Sequence, residues 1–237
     1  MRIVVTRPHS ESERTAATLR ARGHDVLVAP LMQVESLAAD LSGGWGGVII
    51  TSANAPAAAA DDPECRALFT LPLFAVGQRS ATAARQAGFA DITTAGGDVR
   101  DLVRLIATRR ADAKAPLLYL AGEDRAADLV AELTAHGIAA EMRVVYRAVT
   151  APFPAVLTAA LGAGEVDAVL HYSRRSAENF IAGARAAGLL ERALGVRHIC
   201  LSAQIAEPLA KAGVARIAIA PRPNEAALIA SLEPVQG

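Results

Sequence analysis

The sequence predicts an α/β fold of two similar lobes, each on a mostly parallel sheet, with a cleft between them. Three observations predict it. Short apolar runs alternate with helical patterns of about ten to fourteen residues along the whole chain, the rhythm of βα units. Four of these units recur in the same order. The 237 residues are 52% hydrophobic and 20% charged, enough to fill the core of one large domain or two small ones.

The first unit is a strand over 3–6 and a helix over about 10–22, where Ser10 and Glu13 have capping-box spacing. Gly23 ends that helix, because glycine accepts a left-handed C-cap. A strand over 25–29 follows, then Pro30 and an extended piece at 32–35. Further strands are expected at 47–51, 73–76, 91–94, 116–120, 141–149, 168–172, 198–201 and 216–220, with helices between them. In the helix over 99–110, capped by Asp98, Val99, Leu102, Val103 and Ile106 share one face. Asn224 caps a last helix carrying Leu228, Ile229 and Leu232.

The repeat aligns the opening strand–helix–Gly23 unit with Leu117-Leu118-Tyr119-Leu120, its helix and Gly137. Val48-Ile49-Ile50-Thr51-Ser52-Ala53-Asn54 matches Ala168-Val169-Leu170-His171-Tyr172-Ser173, with Asn179 further on. Val76-Gly77-Gln78 aligns with Leu201-Ser202-Ala203, and Ile92-Thr93-Thr94 with Ile217-Ala218-Ile219. Such a repeat speaks of architecture and not of chemistry.

Composition excludes several classes. Lys+Arg and Asp+Glu are 24 each, so no global field draws the chain to nucleic acid or to an anionic membrane. No apolar run reaches the length of a transmembrane helix, and no signal peptide is recognised, so a cytoplasmic protein is expected. Cys65 and Cys200 are too few for a disulfide framework, and zinc-type Cys/His spacing is absent. There is no phosphate loop, no G-x-G-x-x-G after the first strand and no nucleophile elbow. Chemistry without metal or cofactor is therefore expected.

In parallel α/β sheets, ligands lie beyond the carboxyl ends of the strands. The residues there include Arg7, Thr51, Ser52, Asn54, Ser80, Thr82, Gly122, Arg125, Ser173, Arg174, Arg175, Ser176, Ser202 and Gln204. Small hydroxyls, amides and arginines beside helix N-termini suit an anionic ligand with many arms. Each hydroxyl taken alone reads first as a plain helix cap, a role that can coexist with ligand binding. Tyr146 stands out in the extended piece Val144-Val145-Tyr146-Arg147. Its hydroxyl either faces the cleft as a hydrogen-bonding group or packs on the connection between lobes.

Taken in order, Val5-Thr6-Arg7-Pro8, Thr51-Ser52-Ala53-Asn54, Val76-Gly77, Leu120-Ala121-Gly122, Val145-Tyr146-Arg147, Tyr172-Ser173 with Asn179, and Cys200-Leu201-Ser202-Ala203 resemble the uroporphyrinogen-III synthase family over almost the whole chain. The resemblance implies two flavodoxin-like lobes joined by a two-stranded β linker. One lobe would take 1–35 and 149–237, the other 36–148, and Tyr146 would lie on a linker strand. It also implies a monomeric lyase of haem biosynthesis that cyclises hydroxymethylbilane, a linear tetrapyrrole with eight carboxylates, to uroporphyrinogen III. The bilane would be handed over by the enzyme that forms it. Tyr146 is then the expected catalytic residue, and the rim residues above the expected substrate contacts. One departure is Ser202-Ala203-Gln204-Ile205, where the family often has threonines. The rival reading from another class is a non-catalytic, two-lobed binding protein for a small polyanion.

Overall fold

The computed structural model describes residues 1–60, 63–110, 115–124 and 128–233, with only the backbone for residues 9, 10, 63, 64 and 110. In chain order the elements are β1 (Arg2–Val5), α1 (His9–Arg20), β2 (Asp25–Val28), β3 (Met32–Ser36), β4 (Gly47–Ile50), α2 (Asn54–Ala60), a 3-10 segment (Pro63–Thr70), β5 (Leu73–Ala75), α3 (Gln78–Ala87), β6 (Ile92–Thr94), α4 (Val99–Arg110), β7 (Leu117–Gly122), α5 (Leu129–Ala135), β8 (Ala140–Thr150), α6 (Ala155–Ala163), β9 (Ala168–His171), α7 (Arg174–Ala186), α8 (Leu190–Gly195), β10 (Arg197–Cys200), α9 (Ala203–Lys211), β11 (Ile217–Ile219) and α10 (Glu225–Ala230). Every strand expected from the sequence forms, within two residues at each end.

The chain divides into two compact units, Met1–Gln33 with Val149–Gly237, and Val34–Ala148. The first holds a five-stranded sheet in the order β11-β10-β9-β1-β2, with parallel pairings throughout. Side chains alternate across a strand, so a parallel sheet needs cover on both faces. Val4 and Val169 accordingly enter one core with Leu157, Phe180 and Leu209. Ile3, Val5 and Leu170 enter the other, with Leu19 and Leu228.

The second unit holds the sheet β3-β8-β7-β4-β5-β6. Val48, Ile50, Leu118 and Leu120 face one core, and Ile49, Leu117 and Tyr119 the other. Its β3 edge runs against β8 in the opposite sense: Leu37 N–H donates to Val145 O, and Arg147 pairs with Glu35 at 3.0 Å. The passages between units lie on β3 and β8.

The repeat reappears in the sheets. Read from one side, unit 1 is β2-β1-β9-β10-β11 and unit 2 is β8-β7-β4-β5-β6 after its β3 edge. Strands that align in sequence occupy the same place in their sheets.

Two local readings need correction or completion. Ser10 does not cap α1. The helix starts one residue earlier, with the Pro8 carbonyl accepting from the N–H groups of Glu11 and Ser12 at 3.0 Å each. Proline has no N–H to satisfy, so it suits a position just ahead of the first turn. The glycine-rich run before β4 is a packing device. At Gly43, φ is +150°, and a Cβ would meet the indole of Trp45 at 2.7 Å. The Trp45 Nε1–H donates to Leu41 O at 2.8 Å, which closes that loop over the core. Asp98 and Asn224 cap α4 and α10 as expected, accepting from Asp101 N and Ala227 N. Among the described residues, no helix is long and apolar enough to cross a membrane.

Candidate functional site

The described residues among the expected contacts lie at or just after the carboxyl ends of the strands of the two sheets. In unit 1, Arg7 follows β1. Its guanidinium pairs with Glu11 at 2.5 Å and Glu225 at 3.3 Å, and lies 4.3 Å above the Tyr172 ring. The Thr15 hydroxyl donates to the same Glu225 carboxylate, and Tyr172 Oη donates to it at 3.4 Å. Burial is the main cause that pushes the Tyr172 phenol up to about 12. Arg7 is thus held by two carboxylates and an aromatic face with little of its side chain exposed, a structural tie between β1, α1 and α10. Glu11 was legible as the i+4 partner of Arg7. Glu225, 218 residues away, carried no sequence signal.

Helix α7 begins at Ser173, whose hydroxyl accepts from Ser176 N at 3.1 Å and donates to Ser176 Oγ at 2.9 Å. Ser176 is buried and Ser173 exposed. Arg174 pairs with Glu178 at 3.0 Å and Glu207 at 2.8 Å, and its guanidinium pKa is raised chiefly by its hydrogen bond to Glu178. Arg175 is exposed on the same turn. Ser202 occupies the N-cap of α9 in extended conformation, with no side-chain capping bond, and Gln204 is exposed in the first turn.

Below this rim, His171 and His198 are fully buried and stacked, with His171 Nε2 2.9 Å from His198 Nδ1. His198 Nε2 lies 2.9 Å from the Ala193 carbonyl, which can only accept, so that nitrogen carries the proton. His198 Nδ1 therefore accepts from His171 Nε2–H, and His171 Nδ1 is left as a buried lone pair with no hydrogen-bond partner among the described residues. Desolvation drives both imidazoles below their ordinary range, His171 the further.

In unit 2, Thr51 Oγ1 lies 2.8 Å from Tyr119 Oη, and Ser52 Oγ accepts from Asn54 N at 3.2 Å at the start of α2. Thr51, Ser52 and Asn54 are all half-buried. The N-cap of α3 is Gly77, without a side chain to offer. Ser80 is turned into the protein, 4% exposed, whereas Thr82 faces outward. Tyr119 was missed as a site residue, because a tyrosine inside an apolar strand reads as core. Arg125 lies outside the described residues.

Tyr146 sits on β8 opposite Gly122, at the carboxyl end of β7. Its ring packs partly on the unit 2 core. The chain has three tyrosines. The hydroxyls of Tyr119 and Tyr172 are engaged by Thr51 and Glu225. That of Tyr146 has no hydrogen-bond partner among the described residues.

Residues 13–230 match the family described as uroporphyrinogen-III synthase HemD. The chain belongs to the uroporphyrinogen-III synthase family. Its fold is that of the family's solved structures. The uroporphyrinogen-III synthetase of Helicobacter pylori 26695 superposes with a TM-score of 0.63 at 20% identity, covering 98% of this chain and 100% of that one. The Thermus thermophilus uroporphyrinogen III synthase gives 0.46 at 19% identity, covering 98% of each chain. No curated protein matches significantly. Membership makes the chain a lyase-type cyclase of haem biosynthesis, in a family whose substrate is hydroxymethylbilane. The comparisons support this reading and not the binding-protein one.

Proposed function

We propose that the protein closes hydroxymethylbilane to uroporphyrinogen III with loss of water and inversion of ring D, acting as a cytoplasmic monomer on bilane received from the enzyme that forms it. The ring A hydroxyl leaves as water while the ring nitrogen pushes electrons into an azafulvene. The substituted carbon of ring D attacks that methylene and gives a spiro intermediate. Fragmentation and reclosure at the other carbon, with loss of one proton, give isomer III. Without the enzyme the bilane closes uninverted to isomer I. The protein's task is therefore mainly to hold geometry.

The observation that carries the reading is the Tyr146 hydroxyl, without a hydrogen-bond partner among the described residues, on a rim of helix caps and hydroxyl groups. It is free to donate a hydrogen bond to the departing hydroxyl. Thr51, Ser52, Asn54, Ser173, Ser202, Gln204 and Arg175, with the nearby helix N-termini, are the groups we assign to the carboxylates. Arg7, Ser80 and Ser176 support the rims from inside, and Arg174 is held at the surface by Glu178 and Glu207. The test supplies bilane generated in situ and separates the isomers. Purified protein diverts the product to isomer III, and Tyr146→Phe lowers turnover about tenfold or more at unchanged thermal stability. Unaltered isomer I at stoichiometric protein would refute the synthase reading. Full turnover in Tyr146→Phe would remove the phenol from the chemistry.

A further inference from the structure

We propose that Gly122 is a positioning residue for Tyr146, its missing side chain and the β-bulge opposite it fixing the phenol at the carboxyl end of β7. This rests on the proposed role of Tyr146. The β7–β8 ladder runs in register from Leu117↔Ala140 to Ala121↔Val144 and then slips, so that Gly122 faces Tyr146 with Val145 as the additional residue. Val145 turns into the core of unit 2, where it is 1% exposed. A bulge of this kind re-aims the side chain that follows it. The pairing is closed beyond the bulge by Glu123 N–H, which donates to Tyr146 O at 3.0 Å.

The ring then lies across the glycine. A Cβ on Gly122 would stand 2.5 Å from Tyr146 Cζ, 2.6 Å from Oη and 2.8 Å from Cε2. The contact is with the hydroxyl end of the ring, the part that would reach substrate. Gly122 has no positive φ, in contrast to Gly137 or Gly164, so its backbone does not itself require glycine. The requirement comes from the phenol: any side chain here lifts the hydroxyl off the strand. Gly122 is thereby reassigned from a substrate contact to the floor under the catalytic side chain, and it is buried, as that role demands.

The experiment combines tyrosine ring ¹³C NMR with steady-state kinetics. Only three tyrosines contribute signals, and Tyr146→Phe identifies one of them by its loss. Gly122→Ala is expected to move the Tyr146 signal while leaving those of Tyr119 and Tyr172 in place. It is also expected to lower kcat by about 10–100-fold with little change in KM. Gly122→Ala/Tyr146→Phe should be no slower than the slower single variant, since both changes remove one contribution. An unmoved Tyr146 signal, or a fall in Tm with kcat intact, would overturn the proposal. If Tyr146→Phe is impaired and Gly122→Ala is not, only the positioning role fails. If Tyr146→Phe is itself fully active, the catalytic reading of the tyrosine fails first. Should Gly122→Ala not fold, Gly122→Ala/Tyr146→Ala removes the clash and must fold; its failure to do so would equally overturn the inference.

Discussion

Acidification from pH 7 to pH 5 should destabilise unit 1 through the His171–His198 pair. Both imidazoles are neutral in the fold, held below their ordinary range first by desolvation. In the unfolded chain each titrates near 6.5. The unfolded state thus binds more protons as pH falls below 6.5, and stability drops in that direction. For a histidine that stays neutral in the fold over the whole interval, the loss between pH 7 and 5 is about 2 kcal/mol, and twice that if both do so. That is a large share of the roughly 5–15 kcal/mol that keeps a typical domain folded. Nothing in the packing offsets a proton here. His198 already accepts the one N–H that His171 directs at it, and Phe180 faces both rings edge-on at 5.5 and 5.3 Å. Urea melts at fixed ionic strength, followed by far-UV circular dichroism, measure the slope, while the single tryptophan, Trp45, reports unit 2 by fluorescence. In His171→Leu/His198→Leu the slope between pH 7 and 5 should vanish. A separate loss below about pH 4 should remain, because Asp25 and Asp40 sit below their ordinary carboxylate values, each chiefly through a side-chain hydrogen bond. A flat wild-type profile from pH 7 to 5, or an unchanged slope in the double variant, would refute the reasoning.

Two further outcomes are expected. Gly183→Ala in α7 should destabilise despite alanine's better helix propensity, by about 1–3 kcal/mol, because its Cβ would fall 2.1 Å from the Phe153 ring; chemical denaturation should show recovery in Gly183→Ala/Phe153→Leu. Arg174→Ala should shift stability by no more than about 1 kcal/mol, as exposed ion pairs do, and should leave KM nearly unchanged in the isomer assay, because Glu178 and Glu207 already occupy the guanidinium.

Strands were legible because each is a short β-branched or apolar run bounded by turn residues, and in a sheet covered on both faces such runs are nearly continuous. The rim residues were legible as a class, since they follow the strands. Their individual states were not. Arg7 and Arg174 read as cations ready for carboxylates, yet Arg7 is tied to Glu225 across 218 residues of sequence and Arg174 to Glu207 across 33. Ser80 reads as a hydroxyl at a helix start, but the helix rotation that puts Ala81 and Ala84 into the core turns Ser80 inward as well. The bulge at Val145 was invisible, because no glycine or turn residue marks it in Val144-Val145-Tyr146-Arg147. The start of α1 was misplaced at Ser10 because a capping-box spacing can sit inside a helix that proline has already begun.

The duplication bears on how the work is divided. Strands β4 and β9 hold equivalent sheet positions, and each is followed by a serine that accepts a hydrogen bond from a nearby helix N–H, Ser52 from Asn54 and Ser173 from Ser176. Strands β5 and β10 are likewise equivalent, and each leads into a helix whose N-cap, Gly77 or Ser202, makes no side-chain capping bond. Each rim therefore presents one helix start closed by a hydroxyl and one left open, the donor pattern suited to carboxylates. The symmetry fails at β8. Its counterpart β2 is four residues long and leads into Ala29, Pro30 and Leu31, whereas β8 runs for eleven and carries Tyr146. On the proposed reading, holding a substrate with eight carboxylates needs many similar donors, which duplication supplies twice. Departure of a single hydroxyl needs one donor, and the tyrosine hydroxyl without a partner among the described residues lies where the two halves of the chain differ.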